Sequence, residues 1–298
     1  MWRHLFGPGD ETDVSKVARL PPNFNPSANP SYMEILTTLK KNPPDTITII
    51  AIGPLSNLAL AANTDPETFL RAKEIVVMGG AIGVPGNITP VAEFNQYACS
   101  YSAARIYALT SPNPMSTMPL CKGLKPYPEV LPKRLKLTAF PLDVSTVHTL
   151  SLDTFDAVTE SLSERGSPLA QWIHHFLAPT FVHLKTIYTD SNISLSLHDP
   201  LCIWYLLTDG KGWTIKESVD VRVETEGQWT RGMSVVNRRK KIIEENLESP
   251  VKTHDRDVWL HRGHGNRVRV VLDSEYKTRF GEVMLRRIFG SGEKMDMQ

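Results

Sequence analysis

The chain has 298 residues, 41% of them hydrophobic and 22% charged, with 33 basic and 32 acidic side chains and a formal net charge of +1. That length supports a large core, and the composition is that of a globular α/β protein. The charge balance gives no electrostatic reason for a nucleic-acid or membrane partner, so the expected partner is a small molecule with little charge.

In chain order, residues 1–30 hold few apolar positions and many Pro and Asn, and read as irregular. Residues 31–41 carry Tyr32, Ile35, Leu36 and Leu39 at helical spacing. The β-branched run Thr46 to Ile52 reads as a buried strand ended by Gly53-Pro54, followed by a helix from Leu55 that Ser56 or Asn57 is expected to cap. Glu74 to Met78 is a second buried strand, ended by Gly79-Gly80, so the two strands and the helical segment between them form a βαβ unit with parallel strands. Ser102 to Leu109 reads as a helix, residues 111–140 are ambiguous, and Thr138 to Val144 is a candidate strand. Helical pattern covers 153–187, and a further helix follows Asp199. Val221, Val223 and Trp229, then Val268 to Leu272, suggest strands near the end. The expectation is a single domain over residues 1–298, with no repeat, linker or apolar run long enough to cross a membrane. Cys99, Cys121 and Cys202 are far apart, without zinc or disulfide spacing, which fits a reducing, cytoplasmic compartment; Cys202 is expected to be a buried thiol.

Ligands in open α/β sheets sit beyond the carboxyl ends of the strands, which draws attention to both Gly-containing breaks and to the polar stretch 87–95. His198-Asp199-Pro200 is the other polar constellation, an imidazole and a carboxylate side by side where a loop meets an apolar helix. Each residue also has a plainer reading. His198 would be a polar residue at a helix start, and Asp199 before Pro200 a helix cap. Glu93 would be a solvated loop charge, and Asn87 a turn residue. His174, His175 and His183 lie on the 169–184 amphipathic run and match no ligand spacing.

Four segments in order and spacing carry a family resemblance. They are Ile52-Gly53-Pro54-Leu55-Ser56-Asn57-Leu58-Ala59; Met78-Gly79-Gly80-Ala81 with Gly86-Asn87 and Pro90-Val91-Ala92-Glu93-Phe94-Asn95; Pro141-Leu142-Asp143-Val144; and Leu197-His198-Asp199-Pro200-Leu201. A weaker match follows at Thr230-Arg231-Gly232-Met233 with Val235-Val236. Together they resemble the inosine/uridine-preferring nucleoside hydrolases. The resemblance implies an open, mostly parallel α/β sheet flanked by helices, hydrolysis of the N-glycosidic bond of purine or pyrimidine ribonucleosides, a bound Ca²⁺, and a homodimer or homotetramer. It implies His198 as the acid that protonates the leaving base. It also implies Asp199 and the backbone carbonyl of Ile52 as metal ligands, and Met78, Asn87, Glu93 and Asn95 as residues that grip the ribose.

The chemistry suits these residue types. An oxocarbenium-like ribosyl cation needs a general acid for the leaving group, and a hard oxygen-liganded cation can gather sugar hydroxyls and a water. Amides and a carboxylate match a neutral polyol. The Asp-rich run with which the family opens has no counterpart here, Asp10-Glu11-Thr12-Asp13 having the wrong spacing. Cys99-Ser100 stands where Asp-Pro is common, and Asn237 where Asp is frequent. The expectation from this is a chain without the family's first strand, with an incomplete metal-ligand set and weak activity or none. A non-catalytic nucleoside- or ribose-binding protein is the alternative reading.

Overall fold

The computed structural model describes residues 27–120, 123–187, 193–239 and 255–290. Of the stretch 1–30 expected to be irregular, residues 1–26 lie outside the described part, as does Cys121. The described strands are β1 Thr48–Ala51, β2 Glu74–Met78, β3 Leu137–Phe140, β4 Thr149–Ser151, β5 Ser194–Ser196, β6 Trp213–Val219, β7 Val221–Val223, β8 Ser234–Val236 and β9 Val268–Ser274. The chain divides into two compact units.

The larger unit comprises Pro30–Val147 and Leu197–Tyr276 and is built on a five-stranded sheet of order β1-β2-β3-β9-β6. The first four strands run parallel, and β6 pairs antiparallel with β9. All residues of β2 and β3 are buried, as expected for central parallel strands covered on both faces. β1 forms as the run Thr46 to Ile52 predicted, but over fewer residues and only half-buried throughout. The reason is its position, since it ends the sheet among the described residues and has β2 as its one neighbour. Helix Ser31–Lys41 lays Leu36 and Leu39 into the core, with Tyr32 and Ile35 partly buried against it.

Helix Ser56–Thr64 follows β1, yet its cap position is Leu55 and no side chain caps it, so the expectation of a Ser56 or Asn57 cap is not met. The candidate strand 138–144 is a strand only to Phe140; after Pro141 the chain turns into the short helix Leu142–Ser145. Trp229 lies in a turn and is 80% exposed, and the strand after β7 is instead β8.

The described part of the smaller unit contains residues 148–187, 193–196 and 277–290. Here β4 pairs antiparallel with β5, and the helical stretch forms as two helices, Leu152–Glu164 and Pro168–Ile187, with Gly166 at φ +81° between them. Ser151 Oγ caps the first helix by accepting from Thr154 N. Phe155 packs on Phe181, and His174 stacks on Phe155 beside Asp156, which gives that histidine a packing role.

Candidate functional site at the carboxyl edge of the sheet

Because β1, β2 and β3 are parallel, Ile52, Met78-Gly79-Gly80 and Pro141–Ser145 emerge on one edge of the larger unit's sheet. The β2 end is shaped by its glycines. A Cβ on Gly79 would lie 3.2 Å from Glu93 Oε2, and Gly80 has φ +95° with Gln96 Nε2 and Ser234 Oγ each 2.9 Å from where its Cβ would be. Only a residue without a side chain lets the 93–96 segment close on the strand end.

Glu93 is buried and caps helix Phe94–Ala98. Its Oε1 accepts from Asn95 N at 2.7 Å, and its Oε2 from Gly80 N at 3.0 Å and Gln96 N at 3.1 Å. Asn95 Nδ2 donates back to the Met78 carbonyl at 3.0 Å. Asn87 is exposed, and its Oδ1 accepts from Phe94 N at 2.9 Å. Glu93, Asn95 and Met78 are therefore one hydrogen-bonded unit with the β2 end, and Asn87 ties the outer loop to it.

His198 and Asp199 open helix His198–Leu207, whose cap position is Leu197 with no capping side chain. Asp199 is thus a first-turn residue rather than the cap, and Pro200 falls in the first turn, where its missing N–H leaves no intrahelical bond unmade. Ser145 Oγ lies 2.8 Å from His198 Nδ1. Ser145 is fully buried at the end of the short helix after β3, so it joins the imidazole to the β3 end.

Asp199 is half-buried and, among the described residues, has no hydrogen-bond or ion-pair partner. Burial pushes its carboxyl above the ordinary range and pushes the His198 imidazole below its own. Burial also raises the Glu93 carboxyl against the pull of its three N–H donors, and the negative charge of Asp199 adds to the rise. The two carboxylates therefore sense each other. Asp199 lies near enough for its charge to act on Glu93 and His198 is joined to Ser145, while Ile52, about half exposed, shares only the edge.

Asp143 is committed elsewhere, accepting from Ile82 N at 2.9 Å and Gly83 N at 2.6 Å and so fastening the loop after β2 to the turn after β3. Two members of the site were not among the sequence-derived candidates. Ser145 sits one residue beyond the Pro-Leu-Asp-Val segment and Gln96 one beyond Glu-Phe-Asn, and adjacency was the signal available for both. Gln96 Nε2 donates to Tyr107 Oη at 3.2 Å, and Ser234 Oγ donates to Gln96 Oε1 at 2.7 Å. Met233 bridges Ala92 in antiparallel fashion, which brings the weakest of the sequence matches to the same cluster.

Among the described residues no group of three or more His, Cys, Asp or Glu side chains is placed to hold a metal ion. Calcium takes about six to eight oxygens, so the Asp199 carboxylate and the Ile52 carbonyl do not by themselves fit it.

Residues 7–278 match the family model described as inosine-uridine preferring nucleoside hydrolase. An uncharacterised protein of Schizosaccharomyces pombe is 35% identical over 219 residues, 73% of this chain and 60% of that protein. The pyrimidine-specific ribonucleoside hydrolase RihA of Salmonella arizonae is 30% identical over 227 residues, 76% of this chain and 62% of its own length. The chain thus spans about three fifths of the length of these curated relatives. Among solved structures, a plant nucleoside hydrolase superposes with a TM-score of 0.66 at 18% identity, covering 92% of this chain and 72% of its own. A purine-preferring ribonucleoside hydrolase from Gardnerella vaginalis gives a TM-score of 0.61 at 19% identity, covering 90% and 68%. At such identities these likenesses speak for the fold, an α/β architecture with a mostly parallel sheet.

Proposed function

The chain belongs to the inosine-uridine preferring nucleoside hydrolase family, and from that premise we propose that it hydrolyses the N-glycosidic bond of ribonucleosides, releasing ribose and the free base. The observation that carries the proposal is His198 on Ser145 beside an uncompensated Asp199, at the carboxyl edge of a parallel sheet. Bond cleavage builds positive charge on the ribosyl carbon and negative charge on the departing base. A proton delivered to the base by His198 relieves the second of these.

Burial lowers the His198 imidazole, so the acid that protonates the base is its imidazolium form, which becomes neutral imidazole as the proton leaves. Ser145 Oγ engages Nδ1, so Nε2 is the nitrogen that gives the proton, and it has no partner among the described residues. Asp199 then serves as the negative group that favours ribosyl-cation character or receives a cation. Asn87 and Asn95 supply amides for sugar hydroxyls, while Glu93 and Met78 shape that wall. A metal ion, when bound, would polarise the attacking water; the described donors do not complete a calcium site, and no step here depends on one. The partner is then a neutral nucleoside, the oligomer a homodimer or homotetramer, and the setting cytoplasmic nucleoside salvage. The pyrimidine specificity of the RihA relative makes uridine the first substrate to try, with inosine beside it.

The test is ribose release from uridine and inosine by the 298-residue chain, with and without added calcium. Turnover that falls about 10²- to 10⁴-fold in His198→Ala supports the acid role. Turnover unaffected by that change removes it. The second reading, a nucleoside-binding protein without catalysis, rests on the incomplete donor set. Heat of binding on titrating uridine, without ribose release, is its signature.

A further inference from the structure

At the opposite, amino edge of the same sheet lies a cavity of about 760 Å³ that the proposed reaction does not use. It is bounded by the loop after helix Ser100–Ala108, the approach to β3, the end of β6 and the start of β9. At about 3.3 Å per residue, the five residues of β2 separate the two edges by roughly 15 Å. Its charged lining is five cations (Lys133, Arg134, Lys136, Arg267 and Arg269) against two carboxylates, Glu129 and Glu217. Most of this charge is paired. Arg269 binds Glu217 and Glu74, Lys136 binds Glu74, and Lys133 binds Asp45.

Arg134 and Arg267 are not paired in this way. Arg134 is exposed and has no hydrogen-bond or ion-pair partner among the described residues. Arg267 is held by backbone carbonyls, Nη1 donating to Asn266 O at 2.8 Å and Nη2 to Arg262 O at 2.7 Å, while its own N–H donates to Thr110 Oγ1 at 2.8 Å. Burial, followed by the cations Arg134 and Arg222, lowers the Arg267 guanidinium from its ordinary value against the attraction of Asp220. Asp220 is itself bound to Arg222 at 2.9 Å. The lining also contains Ser218, whose φ of +57° falls in an irregular stretch of the β6–β9 ladder. Non-glycine residues held in that region cluster at ligand sites.

We propose that this cavity binds the phosphate group of a small phosphorylated molecule, with Arg134 and the immobilised Arg267 as its guanidinium clamp. Two guanidinium groups that repel each other and make no direct ion pair with a carboxylate gain most from a shared dianion, and their planar forks match phosphate oxygens. A cavity this large is of the size that takes a whole small organic ligand, more than an inorganic anion fills. The proposal does not depend on the chain's activity.

Calorimetry on the whole chain, with adenosine 5′-monophosphate, adenosine and inorganic phosphate as probes, tests it. The expected result is monophosphate binding tighter than inorganic phosphate, weakened tenfold or more by Arg134→Glu, while any adenosine binding is unchanged by that substitution. Arg134 holds no partner, so the variant should keep the melting temperature of the parent; Arg267→Lys, which keeps the charge and loses the fork, is the second variant and should weaken binding as well. Monophosphate binding indifferent to both substitutions overturns the proposal, as does inorganic phosphate binding as tightly as the monophosphate, or no binding of either.

Discussion

The hydrogen bond between Ser145 and His198 spans 53 residues of sequence and decides which imidazole nitrogen faces outward chemistry. It also makes a prediction at the residue scale. Ser145→Ala should lower the turnover number for uridine about tenfold with little change in KM, because the hydroxyl orients the ring rather than the sugar. Ser145→Thr, which retains the hydroxyl, should restore it. Equal losses in both variants would mean that packing around Ser145 matters and its hydroxyl does not. His198 and Asp199 were legible as a pair from their place before an apolar helix. Their environment was not, since the shift of each group comes from burial by residues far along the chain. Glu93 illustrates the same limit, being a buried helix cap with three N–H donors where a solvated loop charge was the plain reading.

At the scale of elements, the βαβ reading of β1 and β2 holds because both strands are short apolar runs broken by glycine, a local signal. The turn after β2 is sterically narrow. Gly80→Ala would place a methyl group against Gln96 and Ser234 at a backbone angle that favours glycine. We expect it to destabilise the protein by more than about 1 kcal/mol, read as a lower urea midpoint with unchanged slope. A midpoint equal to the parent's would show that the 93–96 segment gives way without cost. The helix that begins with His198 is pinned further along, where Tyr205 Oη donates to Glu74 and accepts from Arg269 at 3.0 Å. Arg269 also binds Glu74 at 2.8 Å and Thr138 Oγ1 at 2.7 Å, which links β9, β2 and β3 through one buried carboxylate. Arg269→Met should cost about 3 kcal/mol, the low end for a broken buried pair because Lys136 still reaches Glu74. Tyr205→Phe should cost about 1 kcal/mol. Chemical denaturation of the two variants checks both figures, and a more stable Arg269→Met would show that desolvation outweighs the network. Sequence periodicity carries no trace of this network, because its members come from three strands and a helix that lie far apart in the chain.

For the whole molecule, the balance of 33 basic and 32 acidic residues leaves little net repulsion near the sequence pI of about 7.8. Light scattering should therefore show most self-association close to that pH and less at pH 6, where histidines add positive charge. A maximum far from 7.8 would point to a specific interface instead. Among the described residues no helix is long and apolar enough to cross a membrane. Composition, buried-strand runs, glycine breaks and four segments in register were enough to determine the α/β class, the parallel sheet and the family, because each is written in neighbouring residues. Tertiary structure alone decided that Ser145 holds His198, that the charge of Asp199 acts on Glu93 with no countercharge among the described residues, and that two arginines without ion pairs line a cavity on the far edge. The physical reason is common to all three: parallel strands must be joined by long crossovers, so residues that meet at a sheet edge are distant in sequence, and only their burial together sets their charge and hydrogen bonding.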